Sequence, residues 1–207
     1  MVEGNITNQY PLTKIRNYYR MGDGILDGYP IIQDQTSPNL AHIPTTNEFL
    51  YSEDFTSWNG YQATSNTTTA PDGSTVTFLD FEDVRMFPTT TVTNSTLYTS
   101  SIYLKANKSA QVKIRNVAAQ DTTVTLTTDW VRYDFTATSI ATTTNSPLID
   151  ARFAQGVGAS GLEIAIWGVQ LEQQNQATGY IKSEGIAAVR KSSTTNLIEY
   201  SEDFSQW

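Results

Sequence analysis

The side chains able to do chemistry in this chain are few. The single His42 stands in AHIPTT, two residues before Pro44 and with no motif around it, which reads as a solvent-exposed loop histidine. Adjacent carboxylates occur twice, as Glu53-Asp54 and Glu202-Asp203. Glycoside hydrolysis needs two carboxyl groups about 5 to 9 Å apart across a sugar bond, whereas neighbours on a strand face opposite ways. The pair alone does not make a catalytic site. Glu53 and Asp54 read instead as acceptors for backbone N–H groups at a turn, or as weak Ca²⁺ ligands completed by carbonyl oxygens; no D-x-D-x-D type loop accompanies them. Calcium is the only cofactor candidate. The third set is aromatic and charged: Tyr103, Trp130 and Trp167 with Arg132, Asp134 and Arg152. An aromatic platform flanked by hydrogen-bonding side chains suits a sugar, the same residues suit a protein interface, and ordinary packing of large aromatics is the third reading.

These side chains need elements to position them, and composition limits which. Of the 207 residues 39% are hydrophobic and only 16% charged, while Thr, Ser and Asn are plentiful, a bias that suits β-rich surfaces. With 13 Lys and Arg against 21 Asp and Glu the net charge is -8, and no basic run gathers the positive residues, so nucleic acid is not an expected partner. Cysteine is absent, which removes disulfides, thiolate nucleophiles and Cys-ligated metals. No apolar run approaches the ~20 residues that span a bilayer, and MVEGNITNQY lacks a basic region followed by an apolar one, so neither a membrane span nor a cleavable signal is expected.

The chain organises itself around a repeat. Residues 47–58 read NEFLYSEDFTSW and residues 196–207 read NLIEYSEDFSQW, with Asn, Tyr, Ser, Glu, Asp, Phe and Trp at the same offsets. A separation this long marks a whole repeated domain. Residues 47–195 are therefore expected to form one module and residues 196–207 to open a second, cut short. Trp58 and Trp207 occupy equivalent places, and Phe55 three residues before Trp58 points to core closure. Residues 1–46 form a leader in which Gly22, Gly24, Gly28 and Pro30 punctuate short apolar clusters. It is too short to fold alone and too rich in Tyr and Ile for a solvated tail, so it reads as an arm docking on a neighbouring subunit or as a small β subdomain.

Within the module, a Thr- and Asn-rich loop is expected over 63–70, then the turn Pro71-Asp72-Gly73. Strands are expected at 74–80, 97–106, 111–117, 122–127, 130–137, 147–154 and 162–171, short runs between turn residues that suggest a two-sheet sandwich. Alternation points Tyr98, Ser100, Ile102, Leu104 and Ala106 inward and leaves Ser101, Tyr103 and Lys105 outward. Likewise Val112, Ile114, Val131, Tyr133, Phe135, Ile149, Ala151 and Phe153 face in, while Lys113, Arg115, Trp130, Arg132, Asp134, Asp150 and Arg152 face out. LEIAIWGVQL is apolar on both faces, as a central or covered strand is.

The ordered motifs YSEDFTSW, APDGST, SIYLKA, TTDWVRYDFTATS, IWGVQLE and ATGYIKSEGIAAVRKSS give the module a family likeness. It resembles the carbohydrate-binding-module-like jelly rolls found, often in tandem, in structural proteins of tailed bacteriophages, marine ones especially. Lys182 stands where that family usually has Pro, and Ser100 where it has a large apolar residue. In the leader, YYRMGDGILDGYPIIQDQTSPNL is similar to the RMGDG-type segment associated with laminin-G or concanavalin-like regions in such proteins. The resemblance implies an all-β jelly-roll β-sandwich in a non-enzymatic virion structural protein on the particle surface, a tail fibre or head fibre. Its implied partners are other virion subunits through residues 1–46 and host-surface or environmental glycans. A capsid cement, head decoration or tail assembly protein that binds no glycan is the alternative. A homo-oligomer is expected, a trimer being one form such appendages take.

Overall fold

The computed structural model describes residues 43–152 and 160–191. Residues 1–42 of the leader, His42 among them, Phe153 and the second copy of the repeat lie outside these. The chain divides into two units, the first of them Thr45–Val189. The first unit holds the sandwich and the candidate site.

Among the described residues there is no α-helix, and the strands are β1 (Thr45–Asn47), β2 (Ala63–Thr69), β3 (Thr75–Asp80), β4 (Arg85–Met86), β5 (Thr90–Thr91), β6 (Leu97–Ala106), β7 (Ala110–Arg115), β8 (Asp121–Leu126), β9 (Val131–Thr138), β10 (Thr143–Thr144), β11 (Leu148–Asp150), β12 (Glu163–Glu172) and β13 (Ala188–Arg190). They form a five-stranded sheet in the order β2-β3-β12-β6-β9, a four-stranded sheet in the order β4-β11-β7-β8, and the pairs β1-β13 and β10-β5. Neighbouring strands in the two large sheets run antiparallel. The chain folds as the two-sheet β-sandwich that its alternation predicts, in keeping with the jelly roll that the resemblance implies.

The core lies between the two sheets. Tyr98, Ile102, Leu104 and Ala106 of β6, Val112 and Ile114 of β7, Ile149 of β11 and Ile164, Ile166, Val169 and Leu171 of β12 join one buried cluster, with Tyr133, Phe135 and Ala137 of β9 packed against it. Burying such side chains stabilises by roughly 1.5–3 kcal/mol each. Ser100 sits among them, almost fully buried, and its hydroxyl finds no hydrogen-bond partner among the described residues. An unpaired buried hydroxyl destabilises, so Ser100→Ala is expected to raise the unfolding free energy by about 1 kcal/mol, measured by chemical denaturation.

Two expectations need correction. Residues 63–69 are the edge strand β2, paired with β3 from Thr69↔Thr75 to Ala63↔Leu79, and not a loop. Their Thr and Asn content satisfies a strand because the strand is mostly exposed. Of the strand expected over 147–154, the described residues form only β11, and the Asp150 carboxylate turns back to accept from the Arg152 backbone N–H at 3.1 Å.

Candidate functional site

The outer face of the five-stranded sheet is where candidate side chains meet. β12 pairs with β3 only through Glu163↔Asp80 and Ile164↔Leu79. The place beside its other end is taken by residues 47–52, where Glu48 N–H donates to Leu171 O at 2.8 Å and Val169 N–H to Ser52 O at 3.0 Å. Between β3 and this opening segment the sheet gapes, leaving a cleft of about 220 Å³ lined by Trp167, Tyr61, Glu53, Asp54, Thr56, Ser74, Thr75 and Thr77 among others.

A bulge shapes the cleft floor. The β12–β6 register shifts between Trp167 and Gln170, with Gly168 at φ +61°. That left-handed conformation favours glycine, and a Cβ there would lie 3.2 Å from the Tyr103 ring. Trp167 packs against Tyr103 (centroids 5.1 Å) and Tyr180 (4.5 Å), and the Arg132 guanidinium lies 5.4 Å from the centre of Tyr103. Trp167 is 6% exposed, and its indole N–H finds no acceptor among the described residues.

Residues 173–183 lie over the remainder of this face as a strap held largely by side chains. Thr99 donates to Gln174 O (2.9 Å), Arg132 Nη1 to Thr178 O (2.6 Å) and Asn47 Nδ2 to Ile181 O (3.0 Å), while Gln170 Oε1 accepts from Ile181 N–H (2.8 Å). The fully buried Glu172 carboxylate accepts from Thr45 Oγ1 (2.7 Å), Thr178 N–H (3.0 Å) and the Thr178 hydroxyl.

The sequence candidates sort accordingly. Tyr103, Arg132 and Trp167 form one row, but Arg132 is committed to the strap and to Ser101 Oγ (2.8 Å), and Trp167 is buried instead of outward-exposed. The strap is what removes the water that alternation alone assigns to this face. Asp134 is exposed on the same strand as Arg132. Trp130 is half-buried, its Nε1 donating to Thr69 O at 2.7 Å. Arg152 comes just after β11 of the other sheet and pairs with Asp150 at 2.7 Å, so it does not join the row.

Glu53 and Asp54 line the cleft, each already engaged. Glu53 accepts from Tyr180 O–H (2.7 Å) and pairs with Lys182 (3.1 Å). Lys182 has its pKa raised by hydrogen bonds to Glu184 first and Glu53 second. Asp54 accepts from the Thr56 hydroxyl (2.6 Å) and backbone N–H (3.0 Å), which hold its carboxyl below the usual range. Burial, ahead of its polar neighbours, pushes the Tyr180 phenol far up. Among the described residues no group of three or more His, Asp or Glu side chains could hold a metal ion. Sequence reasoning missed the hydroxyls of Ser74, Thr75 and Thr77; their one signal was the turn at Pro71-Asp72-Gly73 that folds β3 back beside β2.

No protein family and no curated protein matches the sequence. Among solved structures, the chain is similar to a CBM4 module (18% identity, TM-score 0.41, covering 56% of this chain and 94% of that one). It is also similar to the module TmCBM61 in complex with β-1,4-galactotriose (11%, 0.41, 62% and 99%). A third is a carbohydrate-binding module from Cellvibrio mixtus lichenase 5A in complex with cellotriose (14%, 0.39, 62% and 96%).

Proposed function

We propose that this chain is a non-catalytic virion structural protein, a surface appendage whose sandwich holds a glycan in the cleft beside Trp167. The observation that carries the reading is the chemistry of that cleft. The edge of Trp167, whose indole N–H has no acceptor among the described residues, borders a cleft that also carries two carboxylates and four Ser or Thr hydroxyls, from Glu53, Asp54, Thr56, Ser74, Thr75 and Thr77. A sugar ring offers C–H faces for the aromatic and hydroxyls for the rest. Asp54 suits orientation better than acid catalysis: its hydrogen bonds from Thr56 lower its pKa, and a general acid needs its pKa raised. The phage assignment rests on the ordered motifs of the sequence. Weak single sites would gain avidity from repetition on a particle.

The test is a glycan array probed with the full chain. Trp167→Ala and Thr77→Ala are expected to weaken the best hit at least tenfold, about 1.4 kcal/mol, with the fold checked by circular dichroism; unchanged affinity in both would remove the cleft from the reading. Antibody labelling of intact particles tests the virion assignment. The assembly reading, a cement or decoration protein, is favoured by a separate observation. Leu50 (53% exposed), Tyr51 (53%), Ile186 (74%) and Val189 (59%) are large apolar side chains open to solvent, and Ile186 and Val189 border the same groove. An array with no binding even by a multimer would select it.

A further inference from the structure

The structure gives the buried residues of the opening segment a job, and the repeat can be compared position by position against those jobs. Asn47 is fully buried and uses its whole amide: Oδ1 accepts from Phe49 N–H (3.2 Å) and Leu171 N–H (3.1 Å), and Nδ2 donates to Val169 O (3.1 Å) and Ile181 O (3.0 Å). Ser52 N–H donates to Ser183 O (3.3 Å), and its hydroxyl accepts from Ser183 N–H (2.9 Å). Phe49, Phe55 and Trp58 enter the core.

The second copy keeps what the slot uses. Asn196, Ser201, Phe204 and Trp207 are identical to Asn47, Ser52, Phe55 and Trp58, and Ile198 replaces Phe49 with another apolar side chain. At Thr56, whose hydroxyl closes the Asp54 turn, the copy has Ser205, which also carries one. The changes of character fall at exposed or partly exposed sites: Leu50 becomes Glu199, Ser57 becomes Gln206 and Glu48 becomes Leu197. A slot defined by these contacts has little means of telling the two segments apart.

We propose that residues 196–207 of one chain are a ligand for the slot filled by residues 47–58 in a second copy, so that copies link by segment exchange. Exchange of a like segment gains and loses the same contacts, and concentration decides it. The resident segment is tethered, at an effective concentration on the order of millimolar. Wild-type chains therefore keep their own segment until protein concentration approaches that range. Weakening the resident alone shifts the balance, because the incoming segment brings its own Asn196.

The experiment uses the full chain and sedimentation velocity. Asn47→Ala is expected to self-associate at a concentration at least tenfold below wild type, and adding Asn196→Ala and Trp207→Ala to it to abolish that association. The free peptide of residues 196–207 is expected to restore the near-ultraviolet circular dichroism of Asn47→Ala, or to raise its thermal midpoint by several degrees, where a scrambled peptide does neither. This second readout holds even if the variant is largely unfolded alone. Association that persists without Asn196 and Trp207, or a native peptide no better than the scrambled one, would overturn the proposal.

Discussion

Asn47→Ala is expected to lower the unfolding free energy by about 4 kcal/mol and the thermal midpoint by on the order of 10 °C. No core volume of note is lost; the effect comes from four backbone groups, on Phe49, Leu171, Val169 and Ile181, that all bond to one buried amide. Each buried group left unpaired costs about 1–3 kcal/mol, less where relaxation or water helps. Asn47→Asp is not a conservative alternative. It keeps an acceptor for the two N–H groups but sets a carboxylate against the carbonyls of Val169 and Ile181. It is expected to be at least as damaging at neutral pH and to recover partly in acid, because a protonated carboxyl can again donate to one carbonyl. Denaturant unfolding at pH 7 and pH 4 distinguishes the two variants; equal profiles would mean that the amide does not anchor the opening segment.

Trp58→Ala is expected to cost about 3–5 kcal/mol. Trp58 is buried, meets Phe55 edge-on at 5.1 Å and lies 6.3 Å from Phe49. Removing the indole leaves both rings without their shared neighbour and a cavity that a sandwich fixed by two sheets cannot close. Trp58→Phe fills most of that volume and is expected to cost less than half as much. Thermal denaturation of both checks this, and a loss under about 1 kcal/mol for Ala would place Trp58 at the rim instead of in the core.

The parts of the fold legible in the chain are those whose forces leave a periodic trace. β6 is readable to the residue at Leu97–Ala106 because apolar side chains alternate along it, and the inward sets of β7 and β9 for the same reason. β2 is invisible: a mostly exposed edge strand of Thr and Asn has no apolar face to betray it, and its pairing is decided by β3. The strap is invisible for the opposite reason. Thr99, Ser101, Gln170 and Glu172 look like solvent-facing residues in sequence, yet each is buried by chain that returns from beyond β12. Trp167 stands out in the sequence as an unusual aromatic on a second apolar face, while its burial depends on that return. Arg152 groups with it on alternation alone, which says inward or outward and not which sheet.

The strap has a consequence for how the molecule comes apart. Strands zipped edge to edge resist loosening along their whole length, whereas a cover stitched down largely through Thr99, Arg132, Gln170, Glu172 and Asn47 lets go once a few stitches fail. Gentle destabilisation would peel it back first and wet Tyr103 and Trp167 while the sandwich beneath stays shut. The aromatic floor would then widen from a slit into an open shelf, offering a long chain more room than the resting molecule does.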